Sequence, residues 1–272
     1  MYAAGGWDGH QYLKSVERFS AVEDHWDRVA LMGCARGSFG LVSAKGALVA
    51  AGGFDGQSHL ATVEMYNETA NVWSPGPPLA TGRSGLKLVE AGGALYAIGG
   101  FDGTSVLRSV ERLAPGTSEW MSVAPMLEAR RDMGVAVEEG TGHILVTGGF
   151  NGSADLASVE RYDPTTDTWT TVKAMMTARS GHGVALVKGK VHVMGGYDGA
   201  RLASPSLSFD ALASAAVGHV LSLHLSVLFC AWVGGCGPCV KCVEAFVNAV
   251  VCVCVCVCTM PDVCCCAWPT GT

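Results

Sequence analysis

Short apolar segments alternate with polar turns along the first 200 residues of the chain. Residues 130–175 illustrate the pattern, since the apolar runs 134–139 and 143–149 are separated by a glycine-rich turn. Residues 156–163 then alternate with a period of two, 164–168 are turn-forming, and 169–172 are again strand-like. No helical apolar period runs through the unit. The pattern therefore predicts a small sheet of four antiparallel strands.

This unit recurs along the chain. Gly-Gly doublets end at residues 6, 53, 100, 149 and 196, so the intervals are 47, 47, 49 and 47 residues. Four doublets are followed by a glutamate after 11 residues and a tryptophan after 20, and an arginine follows each tryptophan after 10. These residues are Glu17, Glu64, Glu111 and Glu160, Trp26, Trp73, Trp120 and Trp169, and Arg36, Arg83, Arg130 and Arg179. A period of this length indicates a repeat architecture.

One four-stranded sheet cannot bury both of its faces, whereas sheets stacked around an axis can, so the repeats predict a β-propeller. The tryptophan of each unit is expected to fill the space between neighbouring sheets. The Gly-Gly pair is expected to end the second strand near the axis, where a side chain would crowd the next sheet. The glutamate and arginine occur once in every unit, and a catalytic site is needed only once. We therefore expect them to satisfy loop amides and carbonyls.

Composition divides the chain near residues 201–210. Residues 1–200 hold 37 of the 42 charged residues and one cysteine, Cys34, whereas residues 201–272 hold 5 charged residues and 11 cysteines. The predicted domains are therefore the repeats, 1–204, and a low-complexity Cys/Val-rich tail, 205–272. Val-Cys alternates strictly over residues 251–258, as in a translated TG repeat. The tail is thus expected to be disordered, or to come from a wrong reading frame or an intron.

Two other interpretations of the tail stay open. Residues 211–240 contain no Asp, Glu, Lys or Arg. This uncharged stretch is long enough for a membrane anchor. The CGPC segment at 236–239 and the cysteines at 264–266 have the spacing of redox or zinc sites. The net charge of −6 and the lack of a basic patch argue against nucleic acid as a partner. No signal peptide is visible, and the cysteine-poor repeats fit a cytoplasmic protein.

The order Gly-Gly, aromatic-Asp-Gly, a segment like SVERY, Trp and Arg resembles the kelch repeat. The matching stretches are GGWDG, GGFDG (twice), GGFNG and GGYDG, together with SVERF, TVEMY, SVERL and SVERY. They are most similar to the propeller of the kelch-like BTB-BACK-kelch substrate adaptors. That resemblance implies an all-β kelch propeller, usually of six blades, that captures a protein substrate for a ubiquitin ligase. Some relatives bind actin instead.

The chain departs from that family in its ends. It shows no BTB or BACK segment and begins at a second strand, MYAAGG, so we expect a fragment whose first blade lacks the inner strand. Leu207, Ala216 and Ser226 stand where the repeat requires Glu, Trp and Arg. We therefore expect an incomplete propeller with three whole blades, 36–79, 83–126 and 130–175, and a partial blade on either side. The last blade is expected to lack its two outer strands.

Two sets of loops are expected to converge on one face near the axis. The first set follows each Gly-Gly doublet and contains Trp7, Tyr12, His59, Tyr197 and Arg201; the second follows each repeat arginine and contains Ser84, Arg131 and Ser180. These eight are the predicted partner-binding residues, because aromatic and arginine side chains on variable loops are typical of binding hot spots. The family resemblance favours Ser84, Arg131, Ser180 and Tyr197. Phe54, Phe101 and Phe150 are equally consistent with simple packing.

Three functions follow from this interpretation. The first is a protein-binding module resembling the substrate receptor of a ubiquitin ligase adaptor, and the second is an actin-binding structural protein. The third is a kelch-type oxidase or sugar-modifying enzyme, which is least favoured because the repeats show no copper-type His-Cys-Tyr cluster and no nucleophile elbow. We accordingly predict no enzyme activity, no catalytic residue, no metal, no cofactor and no small-molecule ligand.

Overall fold

The computed structural model of the chain describes residues 1–200 and the backbone of residues 207–210. Within these residues all the regular secondary structure is β, with 18 strands in five antiparallel sheets. Three sheets have four strands and two have three. The all-β prediction of three whole blades and two partial ones is confirmed. The suggested anchor, redox and zinc segments of the tail lie outside the described residues.

The strands of each sheet follow one another in sequence. Blade I contains β1 (Tyr2–Ala4), β2 (Val16–Ser20) and β3 (His25–Arg28). Blade II contains β4 (Gly40–Ala44), β5 (Ala47–Ala51), β6 (Val63–Asn67) and β7 (Val72–Gly76). Blade III contains β8 (Lys87–Ala91), β9 (Ala94–Ile98), β10 (Val110–Leu113) and β11 (Trp120–Val123). Blade IV contains β12 (Gly134–Val137), β13 (Ile144–Thr147), β14 (Val159–Asp163) and β15 (Thr168–Val172). Blade V contains β16 (Gly183–Val187), β17 (Lys190–Met194) and β18 (Leu207–Asp210).

Blade V has one more strand than the sequence predicted. β18 pairs with β17, with Leu207 opposite Val193, so blade V has a third strand. The prediction that it lacks both outer strands is wrong, because the backbone keeps the register of the repeat although Leu207 has replaced the glutamate. β18 begins after residue 204, where the sequence placed the end of the repeats.

The blades stack through their innermost strands, since β4 contacts β8, β8 contacts β12, and β12 contacts β16. Backbone hydrogen bonds link the starts of these strands from blade to blade. Gly85 N–H donates to Ser38 O at 2.7 Å, Asp132 N–H to Gly85 O at 2.8 Å, and Gly181 N–H to Asp132 O at 2.7 Å. These equivalent bonds, present at the three junctions from blade II to blade V, give the radial arrangement of a propeller.

Tryptophan side chains lock three of the junctions. The indole N–H groups of Trp73, Trp120 and Trp169 donate to carbonyl oxygens of the preceding blade, at 3.0, 2.8 and 2.8 Å. Trp120 and Trp169 are buried, which combines apolar contact with a satisfied donor. Trp26 is 46% exposed, because no described sheet precedes blade I. The expected wedge is therefore present for three indoles and absent for this one.

The repeated arginine and glutamate form a buried network inside each whole blade. Arg130 pairs with Glu160 at 2.7 Å and donates to the carbonyls of Gly148 and Ser158 at 2.8 and 3.1 Å. Glu160 also accepts from the amide of Leu127 at 2.7 Å. The other two whole blades contain the ion pairs Arg36–Glu64 and Arg83–Glu111. The three arginines are at most 1% exposed, so the network fastens the segment between blades to the blade that follows.

Among the described residues, blade V does not contain this network. Leu207 stands at the register position of the glutamate, opposite Val193 as Glu160 is opposite Val146. Arg179 still donates to the carbonyl of Gly195, but its Nε has no hydrogen-bond partner among the described residues. Burial lowers the pKa of Arg179, and the charge of Asp198 opposes this shift.

The junction between blades IV and V contains a polar pair where the other junctions are apolar. His182 occupies the repeat position of Leu86 and Met133, and it is 4% exposed. Its Nε2 lies 2.8 Å from Oγ1 of Thr147, which is also buried, whereas Nδ1 has no partner among the described residues. Burial, together with the charges of Lys87 and Arg179, lowers the pKa of His182 from 6.5 to about 3.

We expect blade V to loosen in acid because of this histidine. The unfolded chain binds a proton at His182 below pH 6.5, whereas the folded chain binds it only near pH 3. Stability is therefore fully present above pH 6.5, and each pH unit below it removes ~1 kcal/mol until the folded pKa is reached. The double variant His182→Met, Thr147→Ile copies the junction of blades III and IV. Denaturant unfolding from pH 7 to 4 should show a smaller acid loss in the variant, and equal losses would disprove this role.

Candidate functional site

The two predicted loop sets meet on one face of the propeller. Ser84 and Phe101 exchange backbone hydrogen bonds of 2.9 and 2.7 Å, so the loop after the repeat arginine pairs with the loop after Gly-Gly. The same bridge recurs in the other blades as Gly37–Phe54, Arg131–Phe150 and Ser180–Tyr197. The convergence expected from the sequence is thus present. The face formed by these loops is called the loop face below.

Each Gly-Gly loop is shaped by an acidic or amide side chain. In blade II, Oδ1 of Asp55 accepts from the amides of Gln57 and Ser58, both at 2.8 Å. These bonds lower the pKa of Asp55, because they favour its charged form. Gly56 has a φ of 104°, a conformation that glycine adopts without strain. Asp-Gly therefore fixes the turn, and the turn fixes the aromatic residue immediately before it.

Aromatic rings from successive blades touch one another across the loop face. Tyr12 of blade I lies 4.7 Å from Trp7 and 5.4 Å from Phe54 of blade II, between ring centroids. His59 of blade II lies 4.9 Å from Phe54 and 5.2 Å from Phe101 of blade III. In blades I and II, the second aromatic of the loop thus bridges two blades. We call the series Trp7, Tyr12, Phe54, His59, Phe101, Arg131 and Phe150 the ring belt.

A guanidinium continues the belt between blades III and IV. Cζ of Arg131 lies 5.6 Å from the ring centroid of Phe101 and 5.2 Å from that of Phe150. Both distances are within the range of cation–π contacts. The Arg131 side chain is 40% exposed, its Nε has no hydrogen bond among the described residues, and Asp132 lies at 3.8 Å. Arg131 is therefore held by rings and still presents polar atoms to solvent.

A serine beneath the ring belt supports the imidazole of His59 by a polar contact. Nδ1 of His59 lies 3.0 Å from Oγ of Ser84, and Ser84 is 8% exposed. This contact fixes the orientation of the imidazole between its two phenylalanine neighbours. Ser84 was predicted to touch a partner, but its low exposure makes it a support for His59. The change follows from the packing of His59, which the position of Ser84 in the repeat did not reveal.

The remaining predicted residues are distributed as follows. Trp7, Tyr12, His59 and Arg131 lie in the ring belt, and Tyr197 extends the same face and is 43% exposed. Ser180 contributes its backbone to the bridge with Tyr197, whereas Arg201 lies outside the described residues. Phe54, Phe101 and Phe150 are integral to the belt although they were left out of the predicted site. Their constant place after Gly-Gly was the available signal.

The ring belt is interrupted at the junction of blades IV and V. A cleft of ≈ 380 Å³ opens there, and its lining includes Phe150, Asp155, Tyr197 and Asp198. Oδ1 of Asp155 is buried without a hydrogen-bond partner among the described residues. Asp155 occupies the place that Tyr12 and His59 hold in earlier blades, and its shorter side chain leaves the space open. Its place in the loop after Gly-Gly was evident from the sequence, but it is not among the eight predicted residues.

Elsewhere in the described residues, one group of side chains has metal-ligand chemistry. Glu23 in the turn before β3 converges with His25 and Asp27 of β3, and all three are exposed or nearly so. Hydrogen bonds to the Glu23 carbonyl and to Asp27 raise the pKa of His25, which favours the protonated ring over metal binding.

Among the residues described, no helix is long and apolar enough to cross a membrane.

Comparison with known proteins agrees with the repeat period. The family model described as the Kelch motif matches residues 1–33, 35–80, 82–127 and 133–176. Among solved structures, that of YjhT is similar, with a TM-score of 0.61 and 15% sequence identity over 72% of each chain. At this identity the similarity concerns the fold alone. A search of curated protein sequences gave no significant match.

Proposed function

The chain belongs to the kelch-repeat family, and we propose that its loop face binds another protein. The observation that carries this proposal is the ring belt, in which rings from four blades and one guanidinium touch in a continuous series. Aromatic and arginine side chains are enriched at the energetic centres of protein interfaces. The belt is also prearranged, so little side-chain entropy would be lost on binding.

We further propose that this binding is that of a cytoplasmic substrate receptor in a ubiquitin ligase adaptor. The support is the similarity of the GGFDG and SVERY stretches to the kelch-like adaptors. The alternative is a structural role on actin filaments, which has the same sequence support. A transcript in which a BTB segment precedes this propeller would favour the adaptor.

The proposal includes no catalytic step. Ser84 and His59 have the distance of a hydroxyl and its base, 3.0 Å, and such a pair is one part of a nucleophilic site. Ser84 is only 8% exposed, however, and the imidazole is enclosed by Phe54 and Phe101. A substrate carbonyl therefore has no approach to the hydroxyl, and the pair is better explained as a support of the belt.

A photo-crosslinking experiment tests protein binding. A photoreactive amino acid replaces Thr104, which is exposed on the loop face of blade III, or Glu119, which is exposed in the outer turn of the same blade. In lysate, we expect a discrete crosslinked protein from position 104 and none from position 119. Arg131→Ala should lower the yield at position 104 at least about tenfold, because a hot-spot side chain contributes about 2 kcal/mol or more. Equal products from both positions would refute the proposal, and actin co-sedimentation separates its two forms.

A further inference from the structure

The junction of blades III and IV shows what fits between two loop-face aromatics. Phe101 and Phe150 stand at equivalent positions of consecutive blades, and the guanidinium of Arg131 lies between them. Val106 occupies the neighbouring position and packs against the loop of blade IV at Gly152, whose added Cβ would lie 3.5 Å from it. The space between the rings is thus filled by a planar cation that belongs to the chain itself.

The junction between blades IV and V also has two equivalent aromatic rings, but different residues stand beside them. Phe150 and Tyr197 are the equivalent aromatics of blades IV and V, 47 residues apart. The arginine of the earlier junction is replaced by Ser180, and Val106 is replaced by Asp155. The large cation is therefore missing and a carboxylate is added. This exchange accounts for the cleft of ≈ 380 Å³ at this junction.

One carboxylate oxygen in the cleft lacks a hydrogen-bond donor among the described residues. Oδ1 of Asp155 is buried and has no hydrogen bond among the described residues. Its other oxygen faces blade V, 3.4 Å from the position of a Cβ at Gly199. A buried carboxylate oxygen without a partner is unfavourable, and a charged donor that supplied the missing bond would be bound strongly. Asp198 also lines the cleft, which adds a second acidic group.

We propose that this cleft binds the guanidinium of an arginine side chain presented by the partner protein, between the rings of Phe150 and Tyr197 and against Asp155. This inference rests on the proposed protein binding and specifies one feature of the partner. Guanidinium is favoured over ammonium because it is planar, stacks on aromatic faces and offers paired donors to a carboxylate. Arg131 between Phe101 and Phe150 is the internal template for the stacked part of the arrangement.

The test uses the full chain labelled with ¹⁵N and the blocked peptide acetyl-Gly-Arg-Gly-amide. We expect saturable NMR shifts in the loops of blades IV and V, including the amides of Asp155, Tyr197 and Gly199. The same peptide with citrulline, which is isosteric but uncharged, should bind at least about tenfold more weakly, since a charge-assisted bond is roughly twice as strong as a neutral one. Asp155→Asn should weaken arginine binding by a similar factor, whereas Glu119→Gln in an exposed outer turn should leave it unchanged.

Ser180→Arg provides a second test, because it copies the junction of blades III and IV and should fill the cleft from within. It should abolish peptide binding while the rest of the spectrum stays that of the wild type; should this variant not fold, Asp155→Asn decides. Equal binding of arginine and citrulline, or no shift in these loops, overturns the inference. Binding that appears only after Arg201→Gln also overturns it, since the chain's own arginine would then be the occupant. Crosslinking from Thr104 does not involve the cleft, so it still reports on protein binding if the cleft proposal fails.

Discussion

Replacing Arg130 with alanine is expected to lower the free energy of unfolding by about 3–5 kcal/mol, because it leaves a buried carboxylate without its cation. Arg130 is fully buried and ion-paired to Glu160 at 2.7 Å, and Glu160 is 2% exposed. The substitution also removes the donors to the carbonyls of Gly148 and Ser158. The measurement is denaturant unfolding of the full chain. Loop-face binding should change less than stability, since Arg130 lies beneath that face.

Arg179 provides the matched control for this prediction. It is the equivalent arginine of blade V, but Leu207 stands at the position of its glutamate, so no buried, ion-paired glutamate is left behind when it is removed. Arg179→Ala should therefore destabilise the protein by less than half as much as Arg130→Ala. Equal losses for the two variants, or an unchanged melting temperature for Arg130→Ala, would show that the ion pair does not stabilise the blade.

The second large effect is expected for Gly99→Ala, at about 2–5 kcal/mol, from left-handed strain together with overpacking. Gly99 has a φ of 58°, and an added Cβ would collide with the carbonyl oxygen of Arg130 and lie 2.5 Å from Cε of Met133. That carbonyl accepts the amide of Gly100 at 2.8 Å, so it cannot move without losing a bond between blades. The physical cause is the close approach of two backbones at the junction of blades III and IV.

Gly46→Ala separates the two contributions. Gly46 has a φ of 77°, but nothing lies within 4 Å of an added Cβ. It should therefore show only the conformational strain, roughly 1–2 kcal/mol. Thermal and denaturant unfolding of both variants measure the difference. If Gly46→Ala were as destabilising as Gly99→Ala, close packing at the Gly-Gly doublet would not be the reason for its recurrence.

The repeat signals of the sequence were sufficient for the framework of the fold. The strands of blade IV, the buried arginine and glutamate pairs and the indole wedges all follow from residues that recur in register. The exposure of Trp26 and the presence of β18 were not predicted, for two different reasons. The indole of Trp26 is uncovered because burial depends on a neighbouring sheet, which a residue's own repeat position does not guarantee. β18 forms without the glutamate signature because strand pairing uses backbone groups, which Leu207 supplies as well as glutamate.

The candidate site was predictable in its location but only partly in its members. Equivalent loops after Gly-Gly and after the repeat arginine must lie on one face, so Tyr12, His59 and Arg131 were placed correctly on it. Contacts across a junction were not predictable, because they depend on two different blades at once. The support of His59 by Ser84 is such a contact. Asp155 was recognised as a loop residue but not chosen for the site, because its unpartnered oxygen in the cleft beside Tyr197 is visible only in the structure. Whether these residues bind a partner stays a prediction.

Hydrogen exchange of the indole N–H groups, assigned by single Trp→Phe variants of the full chain, tests the stacking of the blades most directly. The ring belt and the cleft exist only if successive blades pack as described. Trp120 and Trp169 are buried and donate to carbonyls of the preceding blade at 2.8 Å, whereas Trp26 is 46% exposed. We predict that the first two exchange at least about a hundredfold more slowly than Trp26, because their release requires a junction to open. Equally fast exchange of all three indoles would contradict the stacked arrangement.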